Sequence, residues 1–463
     1  MTHLAIHAAA LLVMGLAVGL PGYALERVCI GRSLDDDDAL RPLARWVLGL
    51  LFWTVALFAL ASTGLLRTSA VLAVAALGAA AGAWARLRIP RDPPAEGGSQ
   101  GGDESAGGGS TVAGWILGFT VVATLLVPFL LAIGPTVSWD GSAYHLMLPR
   151  LYLEHGGFRP VEMNVYAAWP QAVELLFAPA LAAGGPPSAK LVHFGFGLLV
   201  LFGLRTAARR SGLRPWAGWL AMVLFLANGV VLYELRVAYV DLAHAFFLLA
   251  AFLFLGAARR DAESRPALLV LAGLAAGLMA GVKITGIAGA ALLLALWLPE
   301  LVRRGRRRRD LGELALRYGL PVALLWLPWL VRSAVLTGNP VYPLAFGAFG
   351  GPDWSHELGQ RFADWQRGLG MGRGAVDYIL LLPRVILVSG QGYDRFDGEL
   401  GRFWILALPL AVAFVRSSPL IRRCLGISGL YFVYWGLSSQ QARFLVPILP
   451  LVALASAAAL QSL

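Results

Sequence analysis

Charge is what this chain lacks most. Only 14% of its 463 residues are Asp, Glu, Lys or Arg, while 58% are hydrophobic. A soluble domain carries roughly a quarter charged residues and needs polar side chains to cover its surface. The composition therefore excludes an ordinary soluble enzyme, a disordered chain and a fibrous one. Cysteine is nearly missing as well. Cys29 and Cys424 make neither a disulfide framework nor a metal cluster. The first apolar run lacks a basic n-region, with only His3 and His7 near its start. It reads as a retained helix rather than a signal peptide.

Long apolar runs are what the chain has in abundance. They lie at 4–20, 46–65, 69–86, 114–134, 188–204, 215–232, 238–257, 266–282, 284–300, 316–336, 403–416, 424–438 and 444–461. Their lengths predict an all-α polytopic membrane protein with about 13 crossings. Residues 91–111, RDPPAEGGSQGGDESAGGGST, form a low-complexity linker. The expected organisation is an N-terminal three-helix extension over 1–90, a cytoplasmic linker over 91–111 and a membrane body over 112–463. No simple tandem repeat is visible.

The formal charge of +11 belongs to this setting and points away from nucleic acid. Basic residues cluster between apolar runs: Arg27, Arg32, Arg41 and Arg45; Arg86, Arg88 and Arg91; Arg205, Arg209, Arg210 and Arg214; Arg259, Arg260 and Arg265; Arg303, Arg304 and Arg306 to Arg309; Arg416, Arg422 and Arg423. Under the positive-inside rule these clusters are cytoplasmic. The segments 135–168, 233–240, the turn at Lys283, 338–400 and 438–443 then converge on the outer face, and the C-terminal end faces the cytoplasm. Two apolar segments, 168–183 and 188–204, lie where this scheme needs an odd number of crossings. The first carries Glu174 and reads as interfacial or re-entrant.

Ionisable groups at membrane depth are costly, which makes the outward ones functional candidates. Asp140 lies in WDGSAYH, directly after an apolar run, with Tyr144 and His145 close behind. Ser138, Asp140 or Ser142 could also simply cap a short helix near Ala143. Asp241 opens another run in YELRVAYVDLAHAF, preceded by Glu234 and Arg236. A mere interfacial pair of Arg236 with either acid is the competing reading. Two outward carboxylates can divide base and positioning roles, or share a divalent cation such as Mg²⁺ or Mn²⁺. Lys283 interrupts two runs in GVKITG, where Gly281 and Gly286 allow a tight break. It either snorkels or neutralises a phosphate. Arg443 in SSQQARFLVP breaks the positive-inside pattern, and Arg suits bidentate phosphate contacts. Gln440 and Gln441 beside it add hydrogen-bond donors, and Tyr342 in NPVYP could border the same cavity. Trp354 and Trp365 in the long outward loop either stack on sugar rings or form an interfacial belt.

The ordered set WDGSAYHLMLPRLYLEHGGF, NVYAAWPQAVELLFAPAL, VAYVDLAHAFF, GLMAGVKITG, NPVYP and SSQQARFLVPILP, over residues 111–450, resembles the GT-C membrane glycosyltransferases. The similarity is greatest to the polyprenyl-phosphate-sugar-dependent group that includes aminoarabinose, mannosyl and lipopolysaccharide-core transferases. That resemblance implies a GT-C-like helical bundle with short interfacial helices in its outward loops. It implies an inverting transfer of sugar from a polyprenyl-phosphate-linked donor to a glycan, lipid or protein hydroxyl, at the outer face of a bacterial inner membrane. Asp140 is then the catalytic base, Asp241 the organiser of metal or acceptor, and His145 a contact to donor or acceptor. Lys283 and Arg443, with Gln441 and Tyr144, hold donor phosphate. Glu174, Glu234, Tyr342, Trp354 and Trp365 border the cavity or acceptor. No organic cofactor is implied. Many relatives carry an adjacent acidic pair where this chain has Asp140 and Gly141, which bears on the metal. A transporter or lipid flippase, and a non-catalytic subunit with a transferase-like bundle, are the alternatives from other classes.

Overall fold

The computed structural model describes residues 2–34, 39–89, 108–302 and 305–463. The chain is all helix and irregular loop among these residues. Three helices come first: α1 (Thr2–Leu25), α2 (Leu40–Ser62) and α3 (Thr68–Arg88). Residues 90–107, most of the expected linker, lie outside the described residues. α4 (Gly108–Ala132) begins within the last four residues assigned to that linker.

The body continues with α5 (Met147–His155), α6 (Ala172–Arg210), α7 (Pro215–Leu226), α8 (Gly229–Glu234), α9 (Asp241–Arg260), α10 (Arg265–Val282) and α11 (Gly286–Leu301). α12 (Arg307–Leu314) runs through a π-turn into α13 (Leu320–Thr337). The long loop over 338–400, expected to face outward, folds into four short helices: α14 (Phe346–Phe349), α15 (His356–Gly368), α16 (Ala375–Ile379) and α17 (Leu381–Leu387). α18 (Trp404–Ala413), α19 (Pro419–Leu437) and α20 (Leu449–Gln461) complete the chain.

Nine helices among the described residues are long and apolar enough to cross a membrane. This corrects the expected count of about 13. The other four apolar runs are helical but do not qualify. α7, α11 and α18 are too short. α19 carries Arg422, Arg423 and several aromatic residues with polar tips, which lower its hydropathy. The two segments expected over 168–204 are the two halves of α6, which meet at a kink at Gly184 and Gly185, where the backbone leaves helical geometry. Two following prolines in GGPP explain the break, since neither can donate to the ladder.

Helix boundaries follow local chemistry. Pro215, Pro266 and Pro419 sit in first turns, where a missing N–H costs nothing. Ser418 caps α19 by accepting from the Ile421 amide, and Ser355 caps α15 by accepting from Leu358. α9 is buried almost throughout and packs against α6, α10 and α11. Its 20 residues extend about 30 Å, enough to join two chemically distinct ends. At one end Arg259 and Arg423 share Glu300, and Arg265 pairs with Glu313. At the other end stands Asp241.

Candidate active site

Four charged side chains meet at the Asp241 end of the bundle. Asp140 accepts a hydrogen bond from Arg443, across 303 residues of chain. Asp241 accepts from Lys283 Nζ at 2.5 Å. The two pairs share a wall. Lys283 Nζ lies 3.9 Å from the centroid of the Phe444 ring, and the Arg443 guanidinium lies 5.1 Å from it. Arg443 also stacks on Tyr239 at 5.0 Å. A cation over an aromatic face gains electrostatic attraction, more so when desolvated.

Local backbone geometry explains how each group arrives. Asp140 precedes a π-turn over Gly141–His145, and its side chain makes no capping bond. The capping reading of Asp140 therefore gives way to the ion pair. Lys283 sits between α10 and α11 in an extended conformation. The turn closes with the Gly286 amide donating to the Lys283 carbonyl at 2.8 Å. A Cβ at Gly286 would fall 2.0 Å from the Met279 carbonyl, so the tight break needs glycine. Asp241 lies in the first turn of α9, where the helix dipole favours an anion. Arg236 does not pair with either acid, as the interfacial reading expected. It stacks on Tyr233 at 4.9 Å.

Buried neighbours orient the Asp140 turn. His145 Nδ1 and Glu174 Oε1 are 2.7 Å apart and both residues are buried. Tyr144 stacks on Tyr166 with centroids 4.1 Å apart. Burial pushes the Tyr144 hydroxyl well above the usual tyrosine value, and the Asp140 carboxylate adds in the same direction against Arg443. Gln441 accepts from Arg443 Nε at 3.2 Å, which fixes the guanidinium plane.

One cavity opens on this centre and another lies in the long loop. The first, of about 580 Å³, is lined by Arg443, Tyr239, Glu234 and Arg236, by Gln391, Asp397 and Glu399 from the outward loop, and by Thr124, Val127, Pro128 and Leu131 of α4. α4 leaves Trp115, Phe119 and Val127 exposed, so a lipid-facing helix forms one wall. The second, also about 580 Å³, lies in the outward loop and is lined by Trp354, Phe346, His356 and Phe362 among others.

The remaining expected residues are dispersed. Glu174 serves His145 and lines neither cavity. Tyr342 is buried, and its hydroxyl donates to the Pro352 carbonyl. Trp365 packs between Phe362 and Tyr393 and does not line the second cavity. Among the described residues, no group of three or more His, Cys, Asp or Glu converges as a metal cage. Asp140 and Asp241 each face a cation.

Sequence reasoning missed three residues that shape the site. Tyr239 and Phe444 are the aromatic neighbours of the two pairs, and both lie within the quoted motifs. Arg332 is buried in α13 and donates to the Ala167 carbonyl, to the Trp169 carbonyl and to Gln171, the latter two at 3.0 Å. Tyr152 donates to the same Gln171 oxygen at 2.9 Å. This web pins the first outward loop to the bundle. An arginine inside the apolar run 316–336 was the available signal.

The bundle, with its charged groups converging at one end, is that of a multi-pass membrane protein. Crystal structures of ArnT from Cupriavidus metallidurans share this fold. The form bound to undecaprenyl phosphate matches with a TM-score of 0.56 and 20% identity over 76% of this chain. The apo form matches with a TM-score of 0.55 and 21% identity over the same share. In both cases this chain spans 60% of the ArnT chain. No curated protein sequence matches. By sequence the chain belongs to the family described as a domain of unknown function (DUF8201), whose model matches residues 188–449.

Proposed function

We propose that the protein is a membrane glycosyltransferase that moves a sugar from a polyprenyl-phosphate-linked donor to a hydroxyl of a glycan, lipid or protein, at the outer face of a bacterial inner membrane. The observation that carries this reading is the paired centre, Asp140 with Arg443 and Asp241 with Lys283, beside a cavity whose wall is a lipid-facing helix. One structure of similar fold was crystallised with undecaprenyl phosphate, which agrees with a lipid phosphate as donor.

The chemistry follows from the charges. An incoming donor phosphate competes with the carboxylates for Arg443 and Lys283. Both cations then neutralise the phosphate, Arg443 through a planar fork and Lys283 as a point charge. Asp140, released from Arg443, accepts the proton of the acceptor hydroxyl. The hydroxyl oxygen attacks the anomeric carbon as the bond to the phosphate oxygen breaks. The electron pair of that bond leaves on the phosphate, and the displacement inverts the anomeric centre. Asp241 holds Lys283 in place, and His145 with Glu174 holds the Asp140 turn. A divalent cation is a separate proposal. It would have to displace Lys283 from Asp241 or Arg443 from Asp140, and turnover with EDTA against added Mg²⁺ tests it.

The purified protein in liposomes, given labelled polyprenyl-phosphate sugars and membrane acceptors, should release polyprenyl phosphate and label an acceptor. Movement of label across the bilayer without cleavage would instead assign a transporter.

A further inference from the structure

The first cavity contains an acid that the transfer chemistry leaves unused. Glu234 ends α8, is fully buried and lines the cavity with Arg443. Neither of its carboxyl oxygens has a hydrogen-bond partner. His193 Nε2 lies 3.7 Å from a Glu234 carboxyl oxygen. That nitrogen already accepts from the Leu242 amide at 3.2 Å. His193 Nδ1 faces the Val237 carbonyl at 2.9 Å and must carry the ring proton. The histidine therefore has no proton to offer Glu234. A buried polar group left unpaired costs about 1–3 kcal/mol, so such a group is an exception that calls for a partner from outside the chain.

The rest of the cavity says what that partner is. Arg443 stands on the side of the ion-paired centre, where the phosphate is proposed to bind. The α4 wall is apolar and suits the prenyl chain. Glu234, Asp397 and Glu399 are the carboxylates of its lining, which also holds Arg236, Gln391, Tyr233 and Tyr239. Carboxyl groups hydrogen-bond well to hydroxyls, and three of them around one space suit a ligand carrying several. We infer that Glu234 is the central specificity-determining residue of a subsite that binds the sugar of the lipid-linked donor through its hydroxyls, with Asp397 and Glu399 at its rim. Burial pushes the Glu234 carboxyl well above the usual carboxylate range. It can therefore donate a hydrogen bond to one sugar oxygen and accept at its other oxygen.

This inference rests on the glycosyltransferase reading, and the test separates the two. The full-length protein is purified as wild type, Glu234→Leu, Glu234→Gln and Glu399→Gln. Binding is measured for undecaprenyl phosphate and for polyprenyl-phosphate-linked mannose, glucose, galactose and arabinose. Wild type should bind at least one sugar-linked lipid more tightly than undecaprenyl phosphate. Glu234→Leu should weaken that sugar-linked lipid about tenfold while leaving undecaprenyl phosphate within about twofold. Glu234→Gln keeps hydrogen-bonding capacity and should lose less. Glu399→Gln, at an exposed rim position, shifts the same ratio in the same direction and carries the test if the buried variant does not fold. Equal weakening of both lipids, no change in either, or a wild type that prefers no sugar-linked lipid overturns the subsite and leaves the lipid-phosphate reading standing. A wild type that binds no polyprenyl phosphate at all overturns both.

Discussion

Asp140, Asp241, Lys283 and Arg443 were legible as candidates because each is a charge beside an apolar run, where charges are rare. Their pairing was not. No periodicity links residues 303 or 42 positions apart, and sequence could not show that each acid already holds a cation. The same rule applies to Arg332, although its run otherwise reads as an ordinary span. The pairing has a consequence for stability. Removing one member of a buried ion pair typically costs about 3–5 kcal/mol, because the other charge stays buried without compensation. Lys283→Met should therefore lower thermal stability in detergent markedly, and Asp241→Asn with Lys283→Met should recover a good part of that loss. A double variant no more stable than Lys283→Met alone would show that the pair does not act as a unit.

Between elements, small residues decide how closely helices approach. α1 and α2 cross at Gly22 and Gly49, where an added Cβ would lie 2.0 Å from the Arg45 and Val18 carbonyls respectively. Such contacts are typical of membrane helices, which associate by close packing rather than by hydrophobic drive. Gly49→Leu should prise the two apart. Limited proteolysis of the α2–α3 turn should then become faster, while a substitution at exposed Val55 should leave it unchanged. The α9–α10 turn carries a pH dependence. Asp261 accepts from the amides of Glu263 at 3.0 Å and Ser264 at 3.1 Å. The hydrogen bond with the Ser264 side chain, followed by these amides, holds its carboxyl below the usual carboxylate range. A depressed folded value means stabilisation present above the unfolded value of about 3.9 and lost as pH falls through the folded one. The protection of the Glu263 and Ser264 amides, measured against their intrinsic exchange at each pH, should fall in that acid window and stay constant between pH 6 and 8. Helix positions were readable from apolar runs, and the Gly-Pro stretch after 183 announced the break in α6. The backbone contacts at Gly22 and Gly49 were hidden, because a glycine in an apolar run looks alike whether it faces lipid or a neighbouring helix.

For the whole molecule, the all-α membrane class was legible in the apolar runs, whereas the number of spans was overcounted. Composition reports how apolar a run is, whereas spanning also needs length within one helix, which α7, α11 and α18 lack. α9 separates the two groups of charges, with the Asp241–Lys283 pair at one end and the Arg259–Glu300 pair at the other, and the first end is predicted to face outward. Cysteines introduced at Ser355 and Arg306 check it in intact cells. The first should react with an impermeant maleimide from outside, and the second only after permeabilisation; the reverse pattern would invert the site. The central claim is that Asp140 takes the acceptor proton in a sugar transfer from lipid phosphate, and it is tested most directly by turnover. Purified wild type and Asp140→Asn are compared for transfer from a polyprenyl-phosphate sugar, with folding of both checked by thermal unfolding. The account predicts transfer by wild type and a loss of about 10²–10⁴-fold in the variant, the range for removal of a general base. Undiminished transfer by a folded Asp140→Asn variant would contradict it.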